Sequence, residues 1–226
     1  MKLPLIEREV TECRSCDRLV EWRERIGREK RRSFREWDYW ARPVPGFGDP
    51  EARLLIVGLA PAAHGANRTG RIFTGDRSGD WLFAALHRAG LANQPGSTHL
   101  ADGLELTDVF ITAAVKCAPP DNKPTVEERN RCEPYLVREL EALPRLRAIV
   151  CLGKFGWDQV VRTLRRSGSV IPSPLPRFGH AVAVQLERGP TLIGSYHPSQ
   201  QNTFTGRLTE AMLDEVFAIA ARAVAG

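Results

Sequence analysis

Five short runs of apolar and β-branched residues punctuate a chain otherwise rich in charge. They are Arg53–Leu59, Val109–Val115, Ala148–Leu152, Ala181–Leu186 and Thr191–Tyr196. Continuous apolar runs suit strands covered on both faces, so the pattern predicts five of them. Between most of them the period changes. Ser78–Ala89 carries Trp81, Leu82, Ala85, Leu86 and Ala89 at helical spacing. Thr125, with Glu128 three residues on, reads as a capping box opening a helix that runs to about Leu143. Phe155–Arg165 and Leu208–Val224 read as two more helices, and residues 5–38 as a helical segment rich in Glu and Arg. Strands alternating with helices predict an α/β fold: three αβα layers around a central, mostly parallel sheet. "ARPVPGFGDP" (41–50) reads as a Pro/Gly loop. With no repeat and no low-complexity linker, residues 1–226 read as one domain, about 1–40 being a helical N-terminal extension.

Composition adds direction. A 226-residue chain that is 42% hydrophobic can bury a sizeable core. A formal charge of +5 favours a polyanionic partner. The charge is uneven: Arg23, Arg25, Arg28, Lys30, Arg31, Arg32 and Arg35 face only Glu24 and Glu29 within residues 23–35. That stretch is either a solvated helix face or a phosphate-facing stripe. No segment is long and apolar enough to span a membrane, and "MKLPLIEREV" lacks a signal peptide's apolar core. The expectation is a cytoplasmic protein, whose cysteines stay reduced.

The cysteines then need another explanation. Cys151 sits inside an apolar run and reads as a packing residue. Cys13 and Cys16 form a C-x-x-C pair, and Cys117 and Cys132 lie 15 positions apart. Four thiols in a reduced compartment suggest a tetrathiolate site, for which spacing leaves zinc and an iron–sulfur cluster both open. Either would tie the extension to the loop after the second predicted strand.

Three predicted strands end in polar loops. "GLAPAAHGANRTGRIFTGD" (58–76) follows the first and holds no acid before Asp76. "CAPPDNKPT" (117–125) follows the second, and "HPSQQNTFTGRL" (197–208) the last. Ligands of open parallel sheets sit outside the carboxyl ends of the strands, so these exits converge on one site. Its amides, histidine and aromatic residue can read a base edge and hold a developing anion.

The segments "VPGFGDPEARLLIVGLAPAAHGANRTGRIFTGDRSGDWL", "AAVKCAPPDNKPT" and "HPSQQNTFTGRLT" resemble motifs of the uracil-DNA glycosylase superfamily, most closely family 5, or type B. The likeness covers roughly residues 10–222. It implies a [4Fe–4S] cluster on Cys13, Cys16, Cys117 and Cys132. It also implies excision of uracil and other deaminated bases from DNA, after flipping, to leave an abasic site. Ala60 stands where many superfamily members carry an acid or amide, and Ala113 where related families place a uracil-reading Asn. Both are features of the type B branch.

On that reading His197 donates a hydrogen bond to the departing base, helped by backbone N–H groups of the 58–63 turn. Phe73 stacks on the base and Ala60 borders it. Asn122 reads the base edge or merely serves its turn. Asp76 positions water or stabilises the sugar cation, unless it only caps the following helix. DNA is expected to be held by Arg68, Arg71, Gln201, Asn202 and Arg207, with Pro43–Gly48 and residues 23–35 contributing. The expected protein is a monomer acting on chromosomal DNA that contains uracil or other deaminated bases.

Overall fold

The computed structural model describes residues 3–174 and 176–225. The extension forms two helices, α1 (Leu3–Glu12) and α2 (Asp17–Glu29), followed by a 3-10 turn at Arg32–Phe34. The break between the helices falls on Cys13–Cys16, so the C-x-x-C pair occupies the corner. Lys30, at φ +52°, ends α2 before the stretch 23–35 runs its course.

All five predicted strands are present. They are β2 (Leu54–Gly58), β3 (Val109–Ala113), β4 (Ala148–Leu152), β5 (Ala183–Gln185) and β6 (Thr191–Ser195). A sixth, β1 (Phe47–Gly48), lies within the Pro/Gly loop and pairs antiparallel with β3. The sheet order is β1-β3-β2-β4-β6-β5, with β3, β2, β4 and β6 parallel and both edges antiparallel. The helices are α3 (Ala66–Thr69), α4 (Arg77–Arg88), α5 (Val126–Glu141), α6 (Lys154–Arg166), α7 (Gln200–Phe204) and α8 (Glu210–Ala225). Thr125 and Glu128 form the predicted capping box of α5.

Alternation along the parallel strands divides the core. Leu54, Ile56, Val150 and Ile193 pack toward α4 and α8, against Leu86 and Phe217. Leu55, Val57, Ile149 and Leu192 face the other layer, against Trp157 and Val160 of α6. Cys151 is fully buried in this second half, as a packing residue. The chain runs outward from β2 to β3, then crosses back to β4. The switch of direction lies between β2 and β4, where an open sheet forms its crevice.

Under β3 lies a buried ion pair. Lys116 Nζ donates to both carboxylate oxygens of Glu139 at 2.7 Å, and to the hydroxyl of Thr112. Both charged side chains are 2% exposed. Removing one partner strands a charge, which costs about 3–5 kcal/mol, whereas replacing both with apolar groups is near neutral. Lys116→Met is therefore expected to lower the midpoint of chemical denaturation strongly, and K116M/E139M to recover much of the loss. A double variant no more stable than the single one would contradict this role.

Candidate active site

The exits of β2, β3 and β6 enclose a cavity of about 380 Å³ at the carboxyl edge of the sheet. Ala60, Phe73, Asp76, Asn122, His197 and Gln201 all line it. The structure thus brings together every residue expected to touch the base, on three separate loops.

Phe73 is held in the left-handed region at φ +55°, which a bulky side chain rarely adopts. Neighbouring glycines make room for it. A Cβ at Gly58 would stand 2.8 Å from the Phe73 ring, and one at Gly79 only 1.7 Å from the Phe73 carbonyl oxygen. The Phe73 and His197 rings lie 5.8 Å apart, tilted by 33°. Both rings line the cavity.

His197 follows β6, and Asn202 Nδ2 donates to its carbonyl at 2.9 Å, pinning the turn. Burial pushes the His197 imidazole down to about 4, so the ring is neutral at physiological pH. A neutral imidazole keeps one N–H donor, suited to an oxygen that gains charge. Among the described residues, the N–H groups of Ala60, Ala62 and Ala63 make no backbone hydrogen bond. They remain available beside the cavity.

Asp76 is both cap and pocket residue. One oxygen, Oδ1, accepts from Gly79 N–H at 3.1 Å as the N-cap of α4. Burial raises its carboxyl above the ordinary range, against the lowering effect of the Gly79 and Ser78 N–H groups. The second oxygen reaches across Gly65, where a Cβ would meet it at 2.0 Å. Asp121, which the "CAPPDNKPT" exit offers beside Asn122, also lines the cavity. It and Asn122 are consecutive left-handed residues, at φ +52° and +55°. Asn and Asp tolerate that conformation best, so the "PPDN" sequence carried the signal.

The expected DNA contacts divide. Gln201 and Arg207 are exposed, Gln201 on the cavity rim and Arg207 over the Tyr196 ring. Arg68 and Arg71 turn inward, away from the surface where a phosphate would lie. Arg68 is 3% exposed; it donates to the carbonyls of His64 and Gly75 at 2.8 Å and stacks on Phe34 and Trp37. Arg71 is 5% exposed and bound to Asp102, Ser97 and Thr74. Asn202 is likewise committed to the His197 turn. The Pro43–Gly48 loop spends its backbone on the edge of the sheet: Val44 N–H donates to the Lys116 carbonyl. In the stretch 23–35, Arg25, Arg28, Arg31, Arg32 and Arg35 are exposed, but Arg23 is buried.

Cys13, Cys16, Cys117 and Cys132 line a second, smaller cavity between α2, α5 and the loop after β3. No group of three or more His, Cys, Asp or Glu among the described residues is arranged to hold a single metal ion. Burial pushes the Cys117 thiol up to about 11 and the Cys132 thiol up to about 12. Arg23 Nη1 donates to Cys117 Sγ at 2.9 Å, and Lys116 N–H donates to Cys132 Sγ at 3.2 Å. Arg23 Nη2 donates to the Cys13 carbonyl, while its Nε is buried without a partner. A buried guanidinium directed at a thiol, with an N–H to a second one, fits a centre whose ligands are thiolates with net negative charge.

Residues 45–221 match the family model of the Uracil DNA glycosylase superfamily. The chain belongs to that superfamily. Within it, the chain is 57% identical over 209 residues to a Type-5 uracil-DNA glycosylase of Mycobacterium bovis, covering 92% of this chain and 76% of the relative. It is 50% identical to a Type-5 uracil-DNA glycosylase of Thermus thermophilus, covering 94% of each chain. A Type-4 uracil-DNA glycosylase of Archaeoglobus fulgidus is 34% identical, over 86% of this chain and 80% of the relative. The likeness read from the motifs is thereby borne out.

The His197 geometry has a pH signature. Its folded value lies below the unfolded value of about 6.5, so the unfolded chain binds more protons between the two. Stability is expected to be unaffected by this ring above about pH 6.5 and to fall as pH drops toward 4. Thermal melts at pH 7 and 5 should show a smaller acid loss in His197→Gln than in wild type. An equal loss would mean that the ring titrates normally.

Proposed function

We propose that this protein excises uracil from DNA as a monofunctional glycosylase, leaving an abasic site. The observation that carries the proposal is the convergence of Phe73, Asp76, Asn122 and His197 on one cavity at the strand ends. The names and high identity of the Type-5 relatives support the substrate class. A base must leave the helix to reach such a cavity, where Phe73 and His197 are both on the lining.

The C1′–N1 bond breaks toward an oxocarbenium-like sugar, and the electron pair departs with the base onto its O2. His197 donates its one ring hydrogen to that oxygen, with the N–H groups of the 60–63 turn alongside. Phe73 stacks on the base. Asn122 hydrogen-bonds the base edge from its exposed turn. Asp76 keeps one oxygen on the helix cap, and its carboxyl lines the cavity beside the sugar. There it stabilises the cation and accepts a proton from the water that adds at C1′. Alanine at position 60 leaves that work to Asp76. Lys116 is buried in its ion pair, so it offers no amine for a lyase step.

The four cysteines would hold a [4Fe–4S] cluster, whose contribution is structural: it ties the α1–α2 corner to α5 and the loop after β3. The buried Arg23, turned toward Cys117, supports a negatively charged centre there. The same reading has the chain working in the cytoplasm as a single-domain monomer. Among the described residues no helix is long and apolar enough to cross a membrane.

Oligonucleotides carrying uracil, hypoxanthine, xanthine or ethenocytosine, scored for alkali-labile sites, test the substrate assignment. Uracil cleavage is expected; cleavage of hypoxanthine alone would make the enzyme a purine glycosylase. In single-turnover assays His197→Ala should slow excision about 10-fold or more and Asp76→Asn about 100-fold, as for loss of a transition-state contact. Undiminished rates in folded variants would remove these residues from the mechanism. The purified protein should be brown, with about four iron atoms per chain; a colourless protein with stoichiometric zinc would refute the cluster.

A further inference from the structure

A third cavity, of about 410 Å³, adjoins the active-site cavity and shares Ala62, Asp76, Asp121 and Asn122 with it. Its far side is built differently. Trp22 and Phe34 supply aromatic surface, Arg31 and Arg77 exposed cations, and His64 an imidazole. We propose that this cavity seats the nucleotide next to the flipped one on the same DNA strand. Its base lies against the aromatic wall and its phosphate near Arg31 and Arg77. The proposal rests on the glycosylase reading above and names what that site holds beside the excised base.

Three observations carry it. First, the shared wall makes the two cavities neighbours, so a strand with one base in the active-site cavity passes directly into the adjoining one. Second, the aromatic wall is braced. The Arg68 guanidinium lies 3.9 Å from the Phe34 ring centre and 4.1 Å from that of Trp37, and the two rings meet edge-on. A fixed aromatic surface beside exposed arginines is how single strands are held without sequence preference.

Third, His64 is fixed in place through Tyr39. The Tyr39 hydroxyl oxygen accepts from Arg31 N–H, and the hydroxyl also hydrogen-bonds His64 Nδ1 at 3.0 Å. Burial, with Arg31 and Arg68 nearby, lowers the His64 value, which favours the neutral ring. The neutral ring carries one hydrogen and one acceptor nitrogen, so Nε2 can meet either a phosphate or a base edge. No partner for Nε2 is present among the described residues. The carboxylates of Asp76 and Asp121 lie on the shared wall, and the exposed Arg31 and Arg77 counter their charge toward a phosphate.

The test uses single-stranded uracil oligonucleotides in which the nucleotide 5′ or 3′ of uracil is replaced by abasic tetrahydrofuran. With wild-type protein, removing the base on one side is expected to raise the half-saturating concentration about 10-fold, the loss of one stacked base. Removing the other should do much less. Phe34→Ala should abolish this neighbour dependence. Because Phe34 also braces Arg68, the exposed Arg31→Ala provides a second reading: the slope of log affinity against log salt should fall by about one. Uracil excision that ignores both neighbours would overturn the subsite while leaving the glycosylase reading intact. Neighbour dependence kept in full by F34A, with an unchanged salt slope in R31A, would place the subsite elsewhere. Absence of any uracil excision would overturn both readings together.

Discussion

The segment between β2 and α4 is held from within by its own polar side chains, and the pocket depends on that hold. Arg68 bonds carbonyls at both ends of the loop, His64 and Gly75. Thr69 Oγ1 reaches the Gly65 and Thr74 carbonyls. Arg71 joins the loop to residues 97–102, where burial opposes but the guanidinium and backbone N–H groups win, holding the Asp102 carboxyl at about 2. Such bonds to charged donors contribute about 1.5–3 kcal/mol each when buried. They are large enough to offset the strain of Phe73 at positive φ, of order 1–3 kcal/mol. The strained residue is the one that lines the cavity, and the loop's internal bonding keeps it there.

The pocket and the thiol cavity are mechanically joined through the same loop. Asn67, fully buried in α3, donates to the backbone carbonyl of Arg23, and the Arg23 guanidinium reaches Cys117 and the Cys13 carbonyl. Leu19, Val115 and Cys117 form a small apolar cluster against which Ala60 and Phe155 pack. The extension is therefore part of the wall behind the active site. A structural centre on the four cysteines would fix α2, and α2 in turn fixes the floor of the β2 exit.

Much of this was legible in the sequence because the signals were local. Continuous apolar runs marked the buried strands, Thr125 and Glu128 marked a helix start, and three polar strand exits marked one sheet edge. The missed elements lack such signals. β1 has two residues inside a Pro/Gly loop, and α3 has four. The arginines misled for a physical reason. An Arg in a Gly-rich loop looks the same whether it faces phosphate or the carbonyls of its own loop. Arg68, Arg71 and Arg23 all took the inward course, because the loop and corner around them leave carbonyls and a thiol in need of donors. Asn202 Nδ2 likewise donates to the His197 carbonyl. Exposed charge, by contrast, stayed where the extension's pattern put it, at Arg31 and its neighbours.

The inward role of the loop arginines is the central claim, and Arg71→Met tests it most directly. Single-turnover uracil excision and DNA affinity would be followed across a salt series with the folded variant. If Arg71 only holds the loop, excision falls about 10-fold or more while the salt slope of binding stays at the wild-type value, since no phosphate contact is lost. Undiminished excision with a salt slope reduced by about one would put Arg71 on the DNA backbone and contradict the account.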